Sequence, residues 1–580
     1  VEFKWQTKSG KNVGNEVNMA YEKIVFWRKN LFKLPSGKEG RNFVREKTRL
    51  FTTLKPNHPM ESIAIKSIAI MEHLLLQKPS PKSKTKENVA HLSRRMEIWE
   101  KGDIIALMEE ALAIQERLPK QTQMDMEKSA RTFAKMVFEG RLNAAGRFLN
   151  QQAVKGGVQT LTPEVLKTLK SLHPPPEPAS LDILKKGIPP KVDPIIFEQL
   201  NGEQIQKAAM RTNGAAGVSG GDAEHWKRCL AAFGPDSMLL CDAMAAMGRR
   251  LCTDFVDPGV LSAFLANRLV PLDKNPGTRP VGIGEVPRRI IGKAIMVILK
   301  SDVVKAAGVT QLCVGQEAGI EAIIHAMIEL FRADETDALL LVDATNAFNK
   351  LNRAVALHNI RFICPPISTV LINCYRTPSR LFVCGGAELA SAEGTTQGCP
   401  FAMAMYALAL MPLVDSLRPD ASEDGKTRMP TQAWYADDSQ SGGNLPAVLR
   451  WWNALCKFGP AYGYYPKASK SWLVVKPHAM EEANKLFEGT DVNITEGGKR
   501  DLGAAIGSDL FIEKYLKGKV EEWQGRVETL AAFAQTQPHA AHAAFTHALR
   551  HTWSYTQRTM STLNVHMGSL EDSIRTKLIP

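Results

Sequence analysis

The sequence predicts an α+β protein, with its strands gathered in the middle of the chain and helices on both sides. Three observations carry that reading. Residues 338–342 are an almost purely aliphatic run, the pattern of a buried strand. Residues 431–443 hold a short apolar run, two adjacent carboxylates at Asp437 and Asp438, and a Gly-rich exit, the pattern of a β-hairpin with acids at its tip. Helical spacing of apolar residues fills much of 62–172 and nearly all of 509–580.

A chain of 580 residues has room for about three or four domains. The 44% hydrophobic content is enough to build cores. A net charge of +13 and a pI near 9.2 suit a polyanionic partner, although many soluble proteins are mildly basic. No apolar run reaches membrane-spanning length and no signal-peptide pattern opens the chain, so no membrane partner is expected. The first residue is Val1, as in a piece cut from a longer protein. Nine cysteines occur without a C-x-x-C pair, which points away from a zinc ribbon or a disulfide framework. The expected setting is reducing and intracellular, nuclear or cytoplasmic.

In chain order, residues 1–50 carry twelve Lys or Arg against five Glu, interleaved with Trp5, Tyr21, Phe26, Trp27, Phe32 and Phe43. This composition fits a nucleic-acid-binding surface, and it fits a solvated helical face over an apolar stripe equally well. Residues 62–79 read as an amphipathic helix ended by Pro79, followed by an exposed Pro/Ser/Lys loop at 78–86. Helical spacing resumes over 89–118, and a helical pair is expected over 126–172. Within that pair, Thr162 is a cap and Pro163 a first-turn residue. Prolines from 174 to 194 mark a connector and the clearest boundary in the sequence. A Gly-rich loop at 211–222 then leads into a helix, a geometry that lets backbone approach phosphate. At 269–293 two strand-like pieces flank a turn at Asn275-Pro276-Gly277, with Lys274 and Arg279 near its tip and Arg288, Arg289 and Lys293 on the helix that follows.

Asp343 ends the aliphatic strand, and the next residues look helical. It is either an N-cap or a metal ligand, because a carboxylate at the end of a buried strand is costly unless something positive offsets it. Brought together on neighbouring strands, Asp343 and Asp437 would suit Mg²⁺, which needs only two or three acids when substrate phosphate completes its shell.

Three motifs in this order resemble reverse transcriptases, the RNA-directed DNA polymerases of non-LTR retrotransposons and group II introns. Asp343-x-x-x-Ala347-Phe348 is similar to that family's first palm motif. Gly394-Thr395-Thr396-Gln397-Gly398-Cys399-Pro400 is similar to the loop that seats the template base and incoming nucleotide. Tyr435-Ala436-Asp437-Asp438 is similar to the catalytic box. The resemblance covers 207–507, about half the chain.

The resemblance implies a right-hand polymerase with an antiparallel palm sheet. On it, 1–125 is a basic helical N-terminal region, 126–195 a helical segment and Pro-rich linker, 196–300 fingers, 301–480 palm, and 481–580 primer grip and helical thumb. It implies two Mg²⁺ ions, for which Mn²⁺ can substitute, held by Asp343, Asp437 and Asp438. Lys274 and Arg279 would contact the triphosphate. Phe348 would collide with a 2′-hydroxyl and so select deoxynucleotides, Gln397 and Gly398 would meet the base pair, and Tyr435 would border the substrate. Lys470 would protonate the departing pyrophosphate, and 502–507 would form the primer-grip hairpin. The Gly-rich loop at 217–222 resembles the family's template-contacting loop but lacks its proline. Expected partners are an RNA template, a DNA or RNA primer and dNTPs.

Cys399 stands where many relatives carry Asp. A catalytically inactive nucleic-acid-binding relic of a retroelement is therefore an alternative. An RNA replicase, which shares the palm, is disfavoured by Phe348 and by the Ala in the Tyr-Ala-Asp-Asp box.

Overall fold

The computed structural model describes residues 13–118, 126–138, 145, 157–274, 277–418 and 430–579. Trp5, the turn residues Asn275 and Pro276, and much of the stretch between the helices expected over 126–172 lie outside the described residues.

The architecture is mixed α+β, rich in antiparallel pairing. One sheet has five strands in the order β6-β7-β3-β8-β9: β3 is Ala338–Val342, β6 Thr431–Tyr435, β7 Asp438–Gly443, β8 Trp472–Val475 and β9 Asn493–Thr495. β3 lies at its centre, antiparallel to β7 and β8, and all five of its residues are buried. Burial on both faces is why this strand reads as continuously aliphatic rather than alternating. A second sheet runs β2-β1-β4-β5, from β1 Asn267–Asp273, β2 Thr278–Gly284, β4 Ser379–Val383 and β5 Ala387–Ser391. A separate hairpin joins β10 Gly498–Asp501 to β11 Ala504–Gly507.

The helices Val13–Ile24, Lys38–Thr52, Glu61–Leu75, Thr85–Glu100 and Ile104–Glu116 precede all of this. Their apolar faces join one continuous core with the helix Pro235–Thr253 and the five-stranded sheet. The helical spacing over 89–118 is split, because Gly102 takes a positive φ of 75° and Asp103 starts a new helix by accepting from the Ala106 amide at 3.3 Å. Thr162 caps the helix Pro163–Leu172 through the Val165 amide at 3.3 Å.

The Pro-rich connector is pinned along the strand-bearing region. The Lys185 amide donates to Asn359 Oδ1 at 2.8 Å and the Glu177 amide to Glu393 at 3.2 Å. After β11 the long helix Asp509–Ala534 packs with Pro538–His547 and Gly568–Ser573 into a second apolar cluster that includes β11. No single helix among the described residues is long and apolar enough to cross a membrane.

Candidate active site

Asp343 follows the buried β3 strand directly and is itself exposed. Its carbonyl accepts from the Lys467 amide at 2.8 Å, and the Thr345 amide donates to the Tyr465 carbonyl at 2.9 Å. Asp343 caps no helix. The chain turns through Asn346 at φ 50°, a left-handed conformation that Asn tolerates, into the short helix Ala347–Lys350. A second helix, Arg353–Ile363, is capped by Asn352, whose Oδ1 accepts from Val355 at 3.0 Å. The single helix expected after Asp343 is therefore two, and Asn346 is what frees Asp343 from a capping role.

Val342 pairs with Ser439, so one step beyond the end of that ladder Asp343 stands across from Asp438. β6 and β7 close through Tyr435↔Asp438, which leaves Ala436 and Asp437 as a two-residue turn with Ala436 at φ 57°. Burial, the neighbouring Asp437, the half-buried Asp501 and Asp343 push the Asp438 carboxyl up to about 7. Burial and Asp343 raise Asp437 as well, while Lys274 and Arg279 pull it the other way. The strands thus gather acids distant in sequence, and the two cations singled out on the β1–β2 hairpin sit within electrostatic reach of the turn. The Lys274 amide closes that hairpin on the Gly277 carbonyl at 3.1 Å, and both side chains are exposed.

The donor set fits a hard divalent cation. Among the described residues Asp343, Asp437 and Asp438 form no ion pair, so only the more distant Lys274 and Arg279 offset the repulsion at Asp437, and Asp438 stays raised. Also among the described residues, no three His, Cys, Asp or Glu side chains can hold an ion by themselves. Carboxylates that supply part of a shell and leave the rest to water and phosphate are the arrangement Mg²⁺ accepts.

The other expected residues divide into two groups around this centre. Lys470 lines an open cleft with Asp343, Asp438, Lys499, Arg500 and Asp501, on the side of the β10–β11 hairpin. Lys499 lies 3.8 Å over the Trp472 ring. The hairpin turn at Leu502 and Gly503 has φ of 44° and 90°, as a type I′ turn requires. Its carbonyls accept from Tyr555 at 2.6 Å and Tyr515 at 2.7 Å. Tyr435 packs half-buried against the apolar cluster that contains β11.

On the other side, Phe348 stacks on the buried Tyr406 with ring centroids 4.6 Å apart, leaving the rest of the ring accessible. The Phe348 carbonyl accepts from the Thr395 amide at 2.6 Å, so the strand-end motif and the Gln397-Gly398 loop are directly joined. Arg353, buried, holds that loop through the Ser391, Glu393 and Gly394 carbonyls at 2.9–3.0 Å. Gly398 is exposed, with φ 101°, and a side chain there would come 2.6 Å from the Gly282 carbonyl of β2. Gln397 is half-buried in the same loop.

Two expectations change. The Gly-rich loop at 211–222 is buried from Ala216 to Gly221 and faces protein rather than an open phosphate site. A Cβ on Gly217 would meet Glu285 at 2.6 Å, and Glu285 accepts from the Ser219 amide and hydroxyl at 3.0 and 2.6 Å. Nor do the three cations on the helix after β2 stand free for a phosphate. Arg288 is buried and donates to Cys399 Sγ at 3.2 Å; Arg289 and Lys293 hold carbonyls of the Gly-rich loop.

Sequence reasoning missed Asp501, Gln311 and Tyr464. Burial pushes Asp501 up to about 6 despite its bond from Gln440 at 3.1 Å. Its position beside the flagged Leu502-Gly503 turn was the available signal. The other two gave none, because their partners lie 125 and 27 residues away. The sequence matches no protein-family model and no curated protein.

Proposed function

We propose that this chain is an RNA-directed DNA polymerase that extends a primer 3′-hydroxyl with deoxynucleotides and copies RNA into cDNA. The observation that carries the reading is the convergence of Asp343 with the Asp437-Asp438 turn, under the influence of Lys274 and Arg279. On this reading the β1–β2 region acts as fingers, the five-stranded sheet as palm, and the helices after β11 as thumb.

Asp343 and Asp437, with Asp438 beside them, would hold two Mg²⁺ ions. When bound, the ions lower the cost of charge developing on the attacking hydroxyl and on the departing pyrophosphate. Lys274 and Arg279 bind the triphosphate and neutralise it, fixing the α-phosphate in line for attack. The exposed part of the Phe348 ring excludes a 2′-hydroxyl. Gln397 and Gly398 support the base pair from a loop held rigidly by Arg353. The β10–β11 hairpin positions the primer end, and its cleft is where Lys499 and Arg500 meet the nucleic-acid backbone and where Lys470, beside Asp343 and Asp438, would protonate the departing pyrophosphate.

The test is primer extension by Asp343→Asn. Losing the ligand removes about 4 kcal/mol of transition-state stabilisation, a rate loss of ~10³-fold or more, while binding of primed template survives. Equal rates for variant and wild type would overturn the assignment. A wild type that binds primed template tightly yet never extends it would favour the relic.

A further inference from the structure

The turn that carries Asp437 is held from outside the hairpin. Gln311 is fully buried on a segment more than a hundred residues upstream. Its carboxamide meets both polar groups of Ala436: Oε1 accepts from the Ala436 amide at 2.9 Å, and Nε2 donates to the Ala436 carbonyl at 3.3 Å. The backbone around Gln311 reinforces this, since the Leu312 amide donates to the Trp434 carbonyl and the Trp434 amide to the Thr310 carbonyl, both at 2.9 Å. From the opposite direction the hydroxyl of the buried Tyr464 donates to the Asp437 carbonyl at 2.8 Å and pairs with Ser439 Oγ at 2.9 Å.

A two-residue hairpin turn needs none of this. The Tyr435↔Asp438 pair already closes it, and turns of this kind normally leave their tip groups to water. Here three tip groups, the Ala436 amide and the Ala436 and Asp437 carbonyls, are bound by two buried side chains, and Ala436 is kept in a left-handed conformation that a non-glycine residue adopts only when its surroundings impose it. The peptide planes on both sides of Asp437 are thereby fixed, and with them the direction of its Cα–Cβ bond.

We infer that Gln311 and Tyr464 are positioning residues that aim the Asp437 carboxylate for divalent-cation binding, the first through the peptide before Asp437 and the second through the peptide after it. The inference rests on the polymerase reading. Neither side chain contacts nucleotide or ion; each acts through the turn backbone. Groups that orient a ligand from behind it change metal affinity or activity by about 10–100-fold when removed.

Tyr464→Phe removes one oxygen and leaves the packed ring, and Gln311→Met replaces the carboxamide with a side chain of similar length. The full chain, with poly(rA)·oligo(dT) carrying a dideoxy-terminated primer and with dTTP, is titrated with Mn²⁺ while free Mn²⁺ is followed by electron paramagnetic resonance. No turnover occurs in this complex. Tyr464→Phe is expected to weaken Mn²⁺ binding about tenfold and Gln311→Met at least as much, on the same order as other outer ligand supports. With an extendable primer, kcat should fall at low Mn²⁺ and recover at high Mn²⁺, with KM for dTTP unchanged. A residue that merely stabilised the fold would lower the thermal midpoint without producing this rescue. Wild-type Mn²⁺ affinity in both variants, alongside lost affinity in Asp437→Ala, would overturn the positioning role alone. Wild-type Mn²⁺ affinity and extension in Asp437→Ala would overturn the polymerase reading beneath it.

Discussion

Lys47→Met tests how firmly the N-terminal helices are built into the rest of the chain. Lys47 and Glu72 are both 0% exposed, and Lys47 Nζ lies 2.7 Å from Glu72 Oε1. The ammonium also sits 4.4 Å from the Trp226 ring centroid, and His225 approaches the same carboxylate at 3.4 Å. The ion pair joins the helices Lys38–Thr52 and Glu61–Leu75, and His225 and Trp226 tie in the helix Ala223–Ala231. Methionine keeps the apolar stem and removes the charge, leaving the buried carboxylate with His225 as its one remaining cationic partner among the described residues. Breaking such a pair costs about 3–5 kcal/mol.

The pH dependence follows from Glu72. Burial favours its neutral form, but Lys47 and His225 outweigh that and hold the carboxyl down to about 2. A group whose folded pKa is depressed stabilises the fold above its ordinary value near 4.5, and that contribution disappears as pH falls toward 2. The deficit of Lys47→Met should therefore be largest at neutral pH and narrow below about pH 4.5. Urea unfolding followed by circular dichroism at pH 7, 5.5 and 4 measures it. Adding Glu72→Gln should return part of the loss at pH 7, because a neutral amide is far less costly to leave unpaired. Unfolding free energies within about 0.5 kcal/mol of wild type at pH 7 would refute the reasoning, since that is the scatter of ordinary surface changes.

Phe348→Ala removes the ring stacked on Tyr406 and should raise incorporation of ribonucleotides relative to deoxynucleotides on the order of 10–100-fold, read by single-nucleotide extension with each substrate. Gly394→Ala places a Cβ 2.1 Å from the Phe348 carbonyl at a φ of 64°, so the loop must shift. A loss of about 1–3 kcal/mol in stability with a raised KM for dNTP is expected in melting and steady-state assays.

The legible parts of this protein were those in which neighbouring residues set the geometry. Ala338–Val342 announced a strand because both its faces are buried, and Thr162-Pro163 announced a helix start because capping is local. Asp343, Asp437 and Asp438 stood out because acids abutting apolar strands are expensive. The β4–β5 hairpin escaped notice although Gly385 and Gly386, both at positive φ, mark its turn. Its place in the fold also depends on a parallel pairing with β1 that no local pattern encodes. Arg288 looked like a free cation on a helix; only the tertiary packing shows it buried against Cys399. The Gly-rich loop misled for a related reason, since glycine makes room for a carboxylate of the same chain as readily as for a phosphate.

The most direct test of the polymerase reading is extension of poly(rA)·oligo(dT) by the wild-type chain with Mg²⁺ and dTTP, with Asp437→Ala alongside. The account predicts extension by the wild type and a loss of ~10³-fold or more in the variant. Undiminished extension by Asp437→Ala would contradict it.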